Sequence, residues 1–233
     1  MSPVGPHDVG GRRGYGEILL DPDDVFHSQW ERQVLGLTYS SFDADLLQLD
    51  RWRARQEELH PLDYVRMPYF ERWLYTLERN LVLNGVLTEA EIEARLQEIG
   101  EDPDEGYAPP GAADDRVTPA AIDFSTREIR PPRLEAPLPP RFACGDPVRT
   151  RVIPIERPGD QHTRLPDYAQ GCVGVVVRVL PVQRLPDLMV ERMEPRPEHT
   201  YSVRLMVADL WGEEDPNASV CVDAWESYLE PAS

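Results

Sequence analysis

Three stretches of this 233-residue chain carry residue types that do chemistry. The first is His7-Asp8-Val9-Gly10-Gly11 with Gly14-Tyr15-Gly16, an arm glycine-rich enough to lie close against another backbone. The second is Leu49-Asp50-Arg51-Trp52-Arg53, followed by Pro68-Tyr69-Phe70-Glu71-Arg72-Trp73. It sets an arginine beside large aromatics on neighbouring helices. The third is His162-Thr163-Arg164-Leu165-Pro166-Asp167-Tyr168, which leads to Gly171 and a strand at Val173. It sets a histidine and an arginine on a loop that opens a strand. Taken singly, each stretch also fits a plainer role: a loose terminus, a surface arginine over core aromatics, a solvated loop.

Composition narrows the chemistry further. All 24 basic residues are arginine, against 42 Asp and Glu, for a net charge of −18. A Schiff-base lysine and a phosphate-loop lysine are therefore excluded. Nucleic acid and anionic membranes are disfavoured, because both need a basic face. An arginine-only balance fits the codon bias of a GC-rich genome, yet any oxyanion held by this chain is held by a planar arginine fork. No nucleophile elbow, HExxH, GxGxxG or CxxC pattern is present, so no self-contained active site is visible. The five histidines (His7, His27, His60, His162 and His199) include no i, i+4 pair. Cys144, Cys172 and Cys221 are too far apart for a zinc site or a disulfide framework, and read as packing residues in a reducing cytoplasm. No apolar run approaches the ~20 residues of a membrane helix. The N-terminus lacks the apolar core of a secretory signal.

The elements that must position these stretches fall into three parts: residues 1–100, 101–140 and 141–233. The first part reads as an arm followed by about four helices. Phe26, Trp30, Val34 and Leu37 repeat at helical spacing behind a cap at Asp23 or Asp24. A second helical segment spans about 44–59 and stops at His60-Pro61. A third starts near Pro68, with Phe70, Trp73, Leu74, Leu77 and Leu81 in one stripe, and ends at Asn84-Gly85. Thr88 and Glu91 form a capping box ahead of Ile92, Leu96 and Ile99. The middle part holds nine prolines in forty residues and reads as an extended linker. The last part alternates at Val148, Thr150 and Val152, runs β-branched over 172–179, alternates again from Tyr201 to Val207, and closes with Val220, Val222 and Trp225. With turn chemistry at Gly145-Asp146, at Gly212 and at Asp215-Pro216-Asn217, it reads as a small β-barrel. The fold class is thus α+β: helical domain, proline-rich linker, C-terminal barrel.

In order along the chain, these stretches resemble the β subunit of nitrile hydratase. HDVGGRRGYG is similar to that subunit's opening HDxGGxxGxG, and VFHSQWERQVLGL to its first helix. MPYFERWLYTLERNLVLNGVLTEAEIEAR resembles the helical pair that follows. HTRLPDYAQGCVGVVV resembles a GHTRxPxYxRGKxGxV signature, and DLWGEEDPNASVCVDAWESYLEP the closing ELWG…VxVDLWExYLEP. The likeness lapses only in the linker.

The resemblance implies an SH3-like C-terminal barrel and an obligate α subunit, in an αβ heterodimer or an (αβ)₂ assembly. It implies hydration of a nitrile to an amide. The α subunit would hold non-corrin cobalt(III) or non-haem iron(III) in a CxxCSC cluster with two oxidised cysteines, and this chain would supply no metal ligand. By motif position, Arg53 and Arg164 would hydrogen-bond the oxidised sulfurs, and Leu49, Trp52, Tyr69 and Trp73 would surround the substrate. Trp73 leans the metal towards cobalt. The chain departs from the family pattern at Gln161, Asp167, Gln170 and Cys172, which removes positive charge near Arg164 and opens the choice of substrate. Two other readings compete: an accessory protein that helps load metal into α, and a thiocyanate-hydrolase-like subunit.

Overall fold

The protein is described from a computed structural model. The structure describes residues 5–11, 14, 25–99, 136, 138–154, 162–190, 196–212 and 217–232. The linker expected over 101–140 thus lies outside the described residues, save 136 and 138–140. So do Tyr15, Gly16, Asp23, Asp24 and Gln161. The chain divides into two compact units, Met1–Leu81 with Leu134–Ser233, and Val82–Arg133.

The helices are α1 (Gln29–Asp43), α2 (Leu49–Glu57), α3 (Pro61–Arg66), α4 (Tyr69–Leu83) and α5 (Glu89–Ile99). Helix α1 begins later than the apolar spacing predicts. Its start is set by Ser28, whose N–H donates to the Glu31 carboxylate at 3.2 Å. His60-Pro61 does more than stop a helix, because proline at the first helical position opens α3. Helix α4 ends where Gly85, at φ +71°, takes the left-handed turn that closes a helix. The capping box of α5 forms as expected: Thr88 N–H donates to Glu91 at 2.8 Å and Glu91 N–H to Thr88 Oγ1 at 3.2 Å.

The C-terminal region is an antiparallel sheet of β1 (Pro147–Thr150), β2 (Val173–Arg184), β3 (Pro197–Met206), β4 (Ser219–Trp225) and β5 (Leu229–Pro231). Two short helices, α6 (Pro186–Met189) and α7 (Val207–Trp211), join its strands. The strand order is β4-β3-β2-β1-β5. The expected barrel is therefore not closed: β4 and β5 are edges, with no ladder between them among the described residues. The reason lies in the strand lengths. The three residues of β5 are spent on pairing with β1. Curvature comes instead from β2, where register shifts at Val176/Arg178 and Leu180/Gln183 bend the strand. Gly174 allows β2 to run close to β3, since a Cβ there would lie 2.6 Å from the Arg204 carbonyl oxygen.

Candidate functional site

The loop between β1 and β2 carries His162 and Arg164, and backbone and side-chain bonds fix its course. Thr150 Oγ1 bonds the Ala169 carbonyl and accepts from the Cys172 N–H at 2.9 Å. Gly171 N–H donates to the Thr150 carbonyl at 3.0 Å. Leu165 plugs the sheet core with no exposed surface. Arg164 N–H donates to the Tyr228 hydroxyl at 3.3 Å, and that hydroxyl in turn donates to Asp187. Burial, with the Asp187 carboxylate close by, pushes the Tyr228 phenol up, so it stays protonated and able to donate.

Helix α2 faces this loop with acids. Its first turn is set by Gln48, whose side-chain oxygen accepts the Arg51 N–H at 2.8 Å and whose amide donates to Asp50 at 3.0 Å. Asp50, Ala54 and Glu57 follow at i, i+4, i+7, which places them on one stripe. Glu57 is 4% exposed and draws an arginine and a histidine to one carboxylate. Arg164 Nη2 donates to Oε1 at 2.6 Å, and His162 Nδ1 lies 2.8 Å from Oε2. Arg164 Nη2 and His162 Nδ1 are themselves 3.0 Å apart, so the two side chains converge on the one carboxylate. On its other side, His162 Nε2 is 3.8 Å from Asp50.

The charges tune one another. Burial opposes a charge on His162, but the carboxylate of Asp50 close by and the bond to Glu57 more than offset it, and its pKa is raised. Burial would also raise Glu57 and Asp50. The nearby His162 outweighs it in both, with Arg164 assisting Glu57, and Gln48 and Arg53 assisting Asp50, so both carboxyls titrate low. A buried carboxylate keeps its charge only with such partners.

The two predicted arginines differ in surroundings. Arg164 is partly covered, with a side chain 24% exposed. Its Nε is buried and has no hydrogen-bond partner among the described residues. Arg53 is exposed, and among the described residues its guanidinium makes no hydrogen bond; Asp50 is the carboxylate that feels its charge. Arg53 thus presents its whole guanidinium outward, and Arg164 the exposed part of a guanidinium held by Glu57.

The four predicted pocket residues are brought together only in part. Trp73 lies 5.6 Å from Trp52 edge-to-face and 5.5 Å from Tyr69, ring centroid to centroid. Trp52 is 5% exposed and belongs to the core of the helices with Leu47 and Leu77. Tyr69 is 56% exposed and Leu49 49%. The family departures also find places. The Gln170 side-chain oxygen accepts the Ile153 N–H at 2.8 Å. Burial, with Asp209 nearby, pushes the Cys172 thiol up. Asp167 offers its backbone N–H to Asp8 at 2.7 Å. Sequence reasoning passed over Glu57 altogether. Its only signal was a shared stripe with Asp50 on an otherwise polar helix.

Comparison with known proteins adds an independent line. The family model described as "Nitrile hydratase beta subunit, N-terminal" matches residues 4–119, and that described as "Nitrile hydratase beta subunit, C-terminal" matches residues 131–231. The cobalt-containing nitrile hydratase subunit beta of Pseudonocardia thermophila is 33% identical over 97% of this chain and 95% of its own length. The low-molecular weight cobalt-containing nitrile hydratase subunit beta of Rhodococcus rhodochrous is 33% identical over 98% of this chain and 99% of its own. The nitrile hydratase subunit beta of Pseudomonas putida is 32% identical over 98% and 99%. A solved thiocyanate hydrolase of Thiobacillus thioparus overlaps 40% of this chain and 78% of its own, at 28% identity and a TM-score of 0.37.

Proposed function

The chain belongs to the nitrile hydratase beta-subunit family, and from that premise we propose how its residues serve the hydration of a nitrile to an amide alongside a metal-bearing α subunit. The observation that carries the proposal is Arg164: clamped by Glu57 through one terminal nitrogen, with a side chain still 24% exposed. A planar fork in that state suits the oxygens of an oxidised cysteine brought by a partner chain. Arg53 supplies the second fork. The metal, cobalt in two of the relatives named above, supplies Lewis acidity when α holds it. Among the described residues, no group of three or more His, Cys, Asp or Glu side chains is arranged to hold a metal ion. The role of this chain is to orient and neutralise oxygens around the metal rather than to ligate it.

The remaining roles follow from placement. Trp73 and Tyr69 form an aromatic wall for a linear, apolar nitrile, with Trp52 behind them and Leu49 at its edge. Exposed Leu37, Leu49, Leu62, Val65, Tyr69 and Leu74 give α an apolar face to cover, in an αβ or (αβ)₂ assembly with the SH3-like region attached. The relatives match along nearly their whole length. This separates the chain from accessory proteins that resemble only the sheet half. The three free thiols fit a cytoplasmic setting.

The test is co-expression with an α subunit bearing CxxCSC, followed by a nitrile panel with amide detection. Wild-type complex is expected to turn over, and Arg53→Lys and Arg164→Lys to lose about a hundredfold each, as for an oriented donor removed from a reacting centre. Near-normal turnover in both variants would refute the assignment. The purified chain alone is expected to carry no stoichiometric metal by elemental analysis.

A further inference from the structure

The segment His7–Gly11 is anchored at three points around the Arg164 loop. Asp8, almost fully buried, accepts the Asp167 N–H through Oδ2 at 2.7 Å, three residues beyond Arg164. Gly10 and Gly11 lie over Tyr168 and Trp211, whose rings are 5.4 Å apart. A Cβ at Gly10 would sit 2.9 Å from Tyr168 Cε1, and one at Gly11 2.9 Å from Trp211 Nε1. Gly11 also holds φ +70°, which few side chains tolerate. The paired glycines are therefore needed for this approach. His7 completes the contact. Its Nε2 is 3.8 Å from Glu57 Oε1, the same oxygen that takes Arg164. Burial, partly offset by Glu57, keeps the His7 pKa low, so a neutral ring shields that carboxylate without competing for it.

We propose that the arm His7–Gly11 is a clasp that positions Arg164: Asp8 pins the backbone of the loop and His7 covers the Glu57–Arg164 pair. The inference rests on the reading of Arg164 as a donor to the partner chain, but adds residues that touch neither substrate nor metal. Asp8 is a positioning residue, and its effect passes through the loop.

Two measurements on the metal-loaded αβ complex test it. In Asp8→Ala, kcat is expected to fall about tenfold with KM nearly unchanged, because a displaced donor costs orientation and not binding. In Asp8→Asn, the amide oxygen still accepts the Asp167 N–H, so most of kcat returns. Hydrogen exchange over residues 162–171 is expected to quicken about tenfold in Asp8→Ala, as for the loss of one charge-assisted bond, and to stay near wild type in Asp8→Asn. Gly10→Ala, which crowds Tyr168 and leaves Asp8 intact, should quicken the same loop and serves if Asp8→Ala does not assemble. Wild-type kcat in an assembled Asp8→Ala complex, or unchanged loop exchange in Asp8→Ala or Gly10→Ala, overturns the clasp. Arg164→Lys is run in parallel. Full turnover there would sink the reading of Arg164, while the exchange data would still decide the clasp on its own.

Discussion

In the sheet region, thirteen buried apolar side chains among the described residues between Phe142 and Leu229 close one core around Tyr201, Val203 and Leu205. The helices of the same unit gather less: Leu47, Trp52 and Leu77 form one small buried cluster with Phe42, Trp73 and Leu81 at its margin, and Val34, Ala54, Leu59 and Phe70 are buried outside it. The helical side leaves Leu37, Tyr39, Leu62, Val65, Tyr69 and Leu74 exposed. The sheet is sufficient to itself, whereas the helices spend much of their apolar surface on something outside the chain. Large apolar side chains left exposed in that number point to an interface. Between the two regions runs the buried ionic group of Glu57, His162 and Arg164, joined across 105 and 107 residues of sequence. The apolar cores differ in self-sufficiency, and the ionic group is where the two regions meet through specific bonds.

The comparison can be broken at either side. The largest effect on stability is expected from Leu205→Ala, which empties a fully buried site in the sheet core. It should cost about 2–5 kcal/mol, read from the denaturant midpoint. A cost below about 1 kcal/mol would mean that the sheet core is not the main source of stability. Glu57→Gln comes next. It leaves Arg164 and His162 without their shared anion, at a cost of about 3 kcal/mol. A melting temperature equal to that of wild type would show that the ionic group does not join the regions.

The pH dependence sharpens the same point with a smaller effect. His162 has a raised folded pKa. Its stabilisation is fully present below 6.5 and is lost as pH rises through the raised value. Glu57 and Asp50 titrate low. Their stabilisation is present above about 4 and is lost as pH falls through their lowered values. The lowered His7 behaves in the acid-side sense as well, losing stabilisation as pH falls from 6.5. Melting temperature against pH should therefore decline on the alkaline side in wild type and flatten there in His162→Gln. An unchanged alkaline limb in that variant would remove His162 from the ionic group. The smallest effect is expected from Leu74→Ala on exposed α4, within about 0.5 kcal/mol for the chain's own unfolding. The same change should weaken α binding measurably in a titration, and equal affinities would take this face out of the interface.

Much of this was legible beforehand, and the limits have physical causes. Helical and strand regions were readable because apolar residues repeat at periods of 3.6 and 2. The capping box at Thr88 and Glu91 was readable because it is local. The start of α1 was misplaced, because a capping acid and a capping serine compete in one stretch and the spacing does not choose between them. The barrel was overstated, because alternation shows that strands exist and says nothing of whether the two edges meet. Arg164 stood out by its motif. Glu57 did not, since one glutamate among 42 acids has no local mark, and its partners come from a loop more than a hundred residues away.

What the sequence determined by itself was the kind of charge available. With 24 arginines and no lysine, every side chain here with a permanent positive charge is a planar arginine fork. Periodicity, turn residues and motif order determined the α+β arrangement and pointed to Arg53 and Arg164. Only the tertiary structure decided how those two are held. Folding places Glu57 and Asp50 against His162, ties Arg164 by one nitrogen, and leaves its side chain 24% exposed. Only folding also sets Asp8 beneath the loop. The reason is that a hydrogen bond depends on position in space to within a fraction of an ångström, whereas residue type and spacing constrain only what lies within a turn or two along the chain.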